Sequence, residues 1–213
     1  ITNHFWARNF ALVLPMPGVR VLVLNTSAYH GGAEGELEHG RVSGRTIAAI
    51  ERQIAADREI AVNILLCHHH VRPLRGLWGT APDEEFMKKG GELLGMLTNR
   101  SASPWLVLHG HRHVPNLEHS SDPACTVIGA ASFARQIPGR FNQFHVIDVS
   151  VDDDQQQPLK GTVQTWSWNI TGGWQRRPIS NDEEGFPPEC GFGSSFHPRA
   201  LAARIVKFLG STP

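Results

Sequence analysis

Neither sign of charge is in excess: Lys+Arg and Asp+Glu each number 20 in 213 residues, and the pI is about 7.4. A dedicated nucleic-acid binder carries a strongly basic domain, so that class loses its electrostatic support, although a local basic groove stays open. Long apolar runs are missing too. Nothing approaches the roughly 18 consecutive apolar residues of a membrane span. No positively charged start leads into an apolar stretch, so neither a membrane partner nor a signal peptide is expected. Cysteine is scarce: Cys67, Cys125 and Cys190 are odd in number, far apart and in no Cys-x-x-Cys pair. That argues against a disulfide scaffold and for a reducing compartment, read as cytoplasmic. The chain opens Ile1-Thr2-Asn3 without methionine, so a fragment or a processed piece is expected. At about 150 residues per domain, the length suits one domain, or one domain with a tail.

What the sequence does have is histidine, 12 residues with several clustered. Histidine is the commonest metal ligand and titrates near neutrality, so function is sought there first. The surrounding pattern gives the scaffold. Phe10–Leu14 and Val19–Leu24 read as strands around a Pro15-Met16-Pro17-Gly18 turn, and the second is apolar almost throughout, as in a strand covered on both faces. After a glycine-rich loop, Ser43 stands as an N-cap before Ile47, Ile50 and Ile54, an amphipathic helix ending near Ala56–Asp57. Ile60–Leu66 is an apolar run that stops at Cys67-His68-His69-His70. Asp83–Thr98 has helical spacing, weakened in its middle by Gly90-Gly91. Trp105–Leu108 runs straight into His109-Gly110-His111-Arg112-His113, and Cys125–Ile128, Phe144–Val149 and Gly161–Trp168 are further strands. Gly172–Ser195 reads as a linker or loop, and Leu201–Leu209 as a docking helix. Trp166, Trp168 and Trp174 are expected in the core. The class is α/β with a strand-rich C-terminal portion.

Two apolar strands thus end in histidines, and open α/β sheets place their sites at the carboxyl ends of strands. If the two strands are neighbours, His68, His111 and His113 converge. Neutral imidazoles on fixed loops can hold a divalent transition metal at about 2.0–2.1 Å, and Gly110 permits the tight turn. A single strand-end histidine is more often a hydrogen-bonded loop residue, and a His-His-His run alone specifies a metal site loosely. Cys67 has no second cysteine at ligand spacing to make a thiolate site. His4, His30, His39, His119, His145 and His197 have no partner pattern and read as ordinary surface or core residues.

Leu65-Leu66-Cys67-His68-His69-His70 together with Gly110-His111-Arg112-His113 resembles the second half of the calcineurin-like metallophosphoesterases. Val21-Leu22-Val23-Leu24-Asn25-Thr26, the helix across Gly40–Ile54, Val127–Ser132 and Phe141–Phe144 are similar to that family's surrounding strands and helix. The likeness covers about residues 10–170 and is nearest to the branch with cyclic-nucleotide phosphodiesterases. It implies a metallophosphoesterase-like β-sandwich flanked by helices, with the C-terminal half of that domain at 1–171 and a linker and docking helix at 172–213. It further implies a dinuclear centre of two divalent ions (Mn, Fe, Zn or Ni) about 3.5–4 Å apart. By the resemblance His68 and His111 ligate one ion, His113 ligates the other, and His69 lines the substrate wall. The substrate class implied is a phosphoester, a cyclic nucleotide among the candidates.

The family's Asp-x-His, Gly-Asp-x-x-Asp and Gly-Asn-His-Asp/Glu motifs are all absent, and the sequence has no Gly-Asp pair. Asn3-His4 has Thr2 and Phe5 where glycine and an acid belong, and reads as an ordinary loop. Three imidazoles without a bridging carboxylate leave two ions under-coordinated, so this chain alone is expected to be inactive. The expectation is a C-terminal half completed by an N-terminal half on upstream sequence or another chain. A catalytically inactive phosphoesterase-like binding module and a nuclease of the same fold are the competing readings.

Overall fold

The computed structural model describes residues 2–32, 35–56, 60–74, 83–100, 104–119, 125–135, 141–151, 159–177, 179 and 189–192. The chain divides into two compact units, residues 1–130 and 131–213.

The first unit opens with α1 (Thr2–Arg8), so Asn3-His4 lies on a helix and not in a loop. β1 (Phe10–Met16) and β2 (Val19–Leu24) then form an antiparallel hairpin, closed where Gly18 takes the positive φ of 77° that glycine tolerates. α2 (Gly44–Ile54) leads to β3 (Val62–Cys67), and α3 (Gly90–Arg100) to β4 (Trp105–His109). β5 (Asn116–His119) and β6 (Cys125–Gly129) complete a six-stranded sheet of order β1-β2-β3-β4-β6-β5. Its inner strands β2, β3, β4 and β6 run parallel, flanked by antiparallel β1 and β5. Register sets Leu22 beside Leu65, Leu65 beside Val107 and Val107 beside Val127, a row in which every side chain is buried. On α2 the three-and-four spacing sends Ile50 and Ile54 into the core, each burial worth roughly 1.5–3 kcal/mol. Ser43 Oγ accepts the Thr46 N–H at 3.0 Å and caps that helix, as its sequence position implies.

Two expectations change here. β2 is sealed on one face only: Arg20, Leu22 and Leu24 are buried, whereas Val19, Val21 and Val23 are half-buried. The helix read over Asp83–Thr98 begins at Gly90, so the glycine pair opens it instead of weakening its middle. A Cβ on Gly90 would run into the Val71 carbonyl, which fixes glycine at that junction.

In the second unit β7 (Gln143–Val151), β8 (Leu159–Asn169) and β10 (Glu189–Phe192) form an antiparallel sheet of order β10-β8-β7, with β9 (Gly173–Arg176) on β8. Buried Val163, Thr165 and Ser167 alternate along β8 with more open Gln164, Trp166 and Trp168. β9 and β10 stand where a linker was expected, and Leu201–Leu209 lies outside the described residues. Trp168 is 45% exposed and stacks edge-on against Trp174, so these indoles form a surface cluster and not a sealed core. Among the described residues no helix is long and apolar enough to cross a membrane.

Candidate metal centre

β3 and β4 are hydrogen-bonded neighbours, the condition on which convergence of their terminal histidines depended. The loops that follow are tied together, Gly110 N–H donating to His68 O at 2.9 Å. His111 then takes φ of 73° and His113 φ of 53°, left-handed conformations uncommon for residues bearing a Cβ. The result brings His111 Nδ1 to 3.2 Å from His68 Nε2.

The third imidazole is His69. One nitrogen from each of His68, His69 and His111 lies within 4.8 Å of the others, the one such group of three or more donors among the described residues. His69 is fully buried and oriented by the loop after β2: its Nδ1 lies 2.7 Å from Thr26 Oγ1, and its backbone N–H donates to the same oxygen at 3.2 Å. Its other nitrogen, Nε2, is buried without a hydrogen-bond partner. A buried ring nitrogen is costly in that condition unless something binds it. Gly40 packs against the ring, leaving 2.5 Å between His69 Cβ and any Cβ placed on Gly40. His113 is outside the group of three, although its charge acts on His68.

The electrostatics favour the neutral form of His68 and His69, the form that ligates metal. Burial holds His69 down to about 3, reinforced by repulsion from His111, His68, His30 and His70. His68 is lowered by burial and by His111, His113 and His30. Burial lowers His70 although Asp83 opposes it, and pushes His109 down to about 4. Burial also pushes the Cys67 thiol up to about 12; its Sγ donates to the His69 and Leu108 carbonyls at 3.4 and 3.8 Å, a structural thiol and not a thiolate.

His111 Nε2 faces two acceptors, Glu85 Oε2 at 3.1 Å and Glu38 O at 3.2 Å. With the proton on Nε2, the Nδ1 lone pair points toward His68, the outer-sphere arrangement typical of ligating histidines. Glu85 is itself held by an ion pair with Arg112. Behind the cluster His70 Nε2–H donates to Asp83 Oδ2 at 2.7 Å, and the Leu74 N–H reaches the same oxygen at 2.8 Å.

These residues suit one divalent ion. Bonds of 2.0–2.1 Å at a tetrahedral centre put neighbouring donors about 3.3–3.4 Å apart, close to the 3.2 Å between His68 and His111, whereas the set with His69 lies within the wider 4.8 Å. Three imidazoles, one with an orphaned Nε2, are a borderline-soft donor set that several transition metals accept. For two ions the described residues do not suffice, because no carboxylate joins the three donors.

Thr26, Gly40, Asp83 and Glu85 were given no role at the site from the sequence, nor was the approach of His30, whose ring centroid lies 5.2 Å from that of His69. Thr26 alone carried a signal, since it ends an apolar strand neighbouring the His68 strand.

The comparisons bear on the fold alone. No protein-family model and no curated protein matches the sequence. Among solved structures, a dimetal phosphatase from Danio rerio is similar with a TM-score of 0.52 at 12% identity, over 73% of this chain and 57% of that one. The chain therefore spans little more than half the length of that structure.

Proposed function

We propose that the chain carries part of the metal centre of a phosphoester hydrolase, with His68, His69 and His111 as the ligands of one divalent ion. The observation carrying the reading is the buried, unpartnered His69 Nε2 beside the 3.2 Å His68–His111 contact. A bound ion there supplies Lewis-acid polarisation and charge neutralisation to a phosphoryl group. The residues do the rest: Thr26 fixes the His69 ring, Glu85 and the Glu38 carbonyl fix the His111 tautomer, and the Gly110–His113 loop presents His111 to His68. The dimetal phosphatase likeness supports phosphoester chemistry over other uses of a tri-histidine site. A second ion, with His113 among its ligands, and the carboxylates to bridge it belong in this reading to an N-terminal half on preceding sequence or another chain. His69 then serves the ion and not the substrate wall. The phosphodiesterase specificity, a cyclic nucleotide included, and the cytoplasmic setting are part of the same proposal.

One observation favours a second reading. The donor group is purely histidine, with Glu85 engaged by Arg112, which suits a binding module that holds an ion without turnover. Titration with Zn²⁺ or Co²⁺ tests both readings: we expect one equivalent per chain, lost in His68→Ala, His69→Ala and His111→Ala. Unchanged binding in those variants overturns the centre. Mn²⁺-dependent hydrolysis of an aryl phosphodiester by the protein with its completing half, abolished by His111→Ala, separates hydrolase from module.

A further inference from the structure

A cavity of about 430 Å³ opens beside the start of α2, lined by Tyr29, Arg41, Ser43, Gly44, Lys88 and Lys89. That volume lies in the range of small-molecule sites, ~300–1,000 Å³, and far exceeds the ~30 Å³ share of a single water molecule. Three cations meet in it. Arg41 and Lys88 are held side by side by a parallel backbone bridge, with Lys88 N–H donating to Gly40 O at 2.8 Å and Val42 N–H to Lys88 O at 3.2 Å. Lys89, at φ of 66°, brings its Nζ to 3.7 Å from where a Cβ on Gly44 would stand.

The carboxylates nearby do not match these cations. Glu36 pairs with Arg41 and stands 3.8 Å from Lys88, and Glu92 stands 3.2 Å from Lys89. Among the described residues two carboxylates thus answer three cations, and Glu36 also faces His39 at 3.3 Å. The Lys88, Lys89 and Glu92 side chains are 51%, 48% and 60% exposed, so their pairs are of the screened kind that exchange readily. Arg41 Nε is buried without a hydrogen-bond partner, a charged donor lacking an acceptor. The first turn of α2 adds N–H groups that precede its first internal bond, Ile47 N–H to Ser43 O at 2.9 Å. The lining is therefore rich in donors and positive charge, and a guanidinium flanked by ammonium groups matches a phosphate's oxygens.

We propose that this cavity binds the phosphate group of a small organic phosphomonoester. The phosphate is held by Arg41, Lys88 and Lys89, and the remaining volume beside Tyr29 takes the organic body. None of the lining residues is a histidine of the cluster, and the proposal does not rest on the hydrolase reading.

Calorimetric titration with inorganic phosphate and with phenyl phosphate, in EDTA and at low ionic strength, tests it. The intact chain, a Lys88→Gln/Lys89→Gln variant and a His68→Ala/His111→Ala variant are compared. Both lysines are half exposed, so that variant keeps its fold, which circular dichroism verifies. We expect saturable binding of phenyl phosphate, tighter than inorganic phosphate, weakened about tenfold or more in the lysine variant, weakened by added salt and retained in the histidine variant. Equal affinity in the lysine variant, loss only in the histidine variant, or no saturation at millimolar ligand overturns the site. Inorganic phosphate binding as tightly as phenyl phosphate overturns the organic assignment in favour of a simple anion site.

Discussion

His111 Nδ1 stands 3.2 Å from His68 Nε2, each on the loop that ends one of two paired parallel strands. With its Nε2 proton directed to Glu85 and the Glu38 carbonyl, His111 turns its Nδ1 lone pair to His68, whose Nε2–H donates to it until an ion displaces that proton. A shared cation satisfies both. We expect His68→Ala and His111→Ala each to abolish tight Zn²⁺ binding, and the double variant to lose little more than either one. Groups that act as a unit are non-additive; additive losses in a double-mutant cycle would place the two rings in separate sites.

Thr26 orients His69 through Nδ1 and leaves Nε2 without a partner. Thr26→Val removes the oxygen that meets both His69 Nδ1 and its backbone N–H, leaving buried polar groups unsatisfied at about 1–3 kcal/mol. Metal affinity should fall about 10–100-fold, the usual loss on removing an outer-sphere partner. Thr26→Ser should restore both quantities, as read by urea denaturation and Co²⁺ absorption. Failure of serine to rescue would mean that the methyl group, and not the hydroxyl, matters.

Gly40 is there because of His69. Gly40→Ala puts a methyl 2.5–2.6 Å from His69 Cβ and Cγ, which forces the ring to move at a cost of about 1–3 kcal/mol. Zn²⁺ affinity should drop with it. Gly91→Ala, whose Cβ meets nothing within 4 Å, serves as the control and should bind metal normally.

Burial of Asp83 works against its charge, but the Leu74 N–H, His70 and the Glu85 N–H outweigh it and hold its carboxyl below the ordinary value of 3.8. The unfolded chain takes up that proton first as pH falls. Asp83 therefore contributes stability above pH 3.8, and the contribution drains away as pH drops through the lower folded value. Asp83→Asn should lower the urea midpoint clearly at pH 6 and much less at pH 3. A difference independent of pH would assign the effect to lost geometry alone.

Ser43→Ala should cost about 1 kcal/mol by leaving the first turn of α2 uncapped, measured by chemical denaturation, with Zn²⁺ affinity unchanged.

Much of the parallel sheet was legible because continuous apolar runs such as Leu106-Val107-Leu108 have few alternatives to a buried strand. The bounds of β2 and the cap at Ser43 follow from local chemistry, a Pro-Gly turn and a hydroxyl before a helical period. Phe86 and Met87 misled the reading of Asp83–Thr98, since their spacing imitates a helix while Asp83 bonds back to His70 and Leu74. β9 and β10 were hidden because four-residue strands carry too short a pattern to register. At the candidate site, the approach of His68 to His111, 3.2 Å in the structure, was legible from strand-end position. His69 was placed beside them, but its burial depends on Thr26 and Gly40, more than two dozen residues away in sequence. Such distant packing leaves no local signature.

The buried row Leu22, Leu65, Val107 and Val127 crosses the same strands whose ends carry Thr26, the histidine run and His111. Side chains on a strand repeat every two residues, so sliding β3 by one place would push Leu65 outward and turn its terminal imidazoles away from those of β4. Misalignment and dispersal of the histidine cluster are then a single event. A chain that mispairs here cannot stay well packed while losing the cluster, because the slip that scatters the imidazoles also exposes the apolar row that holds the sheet.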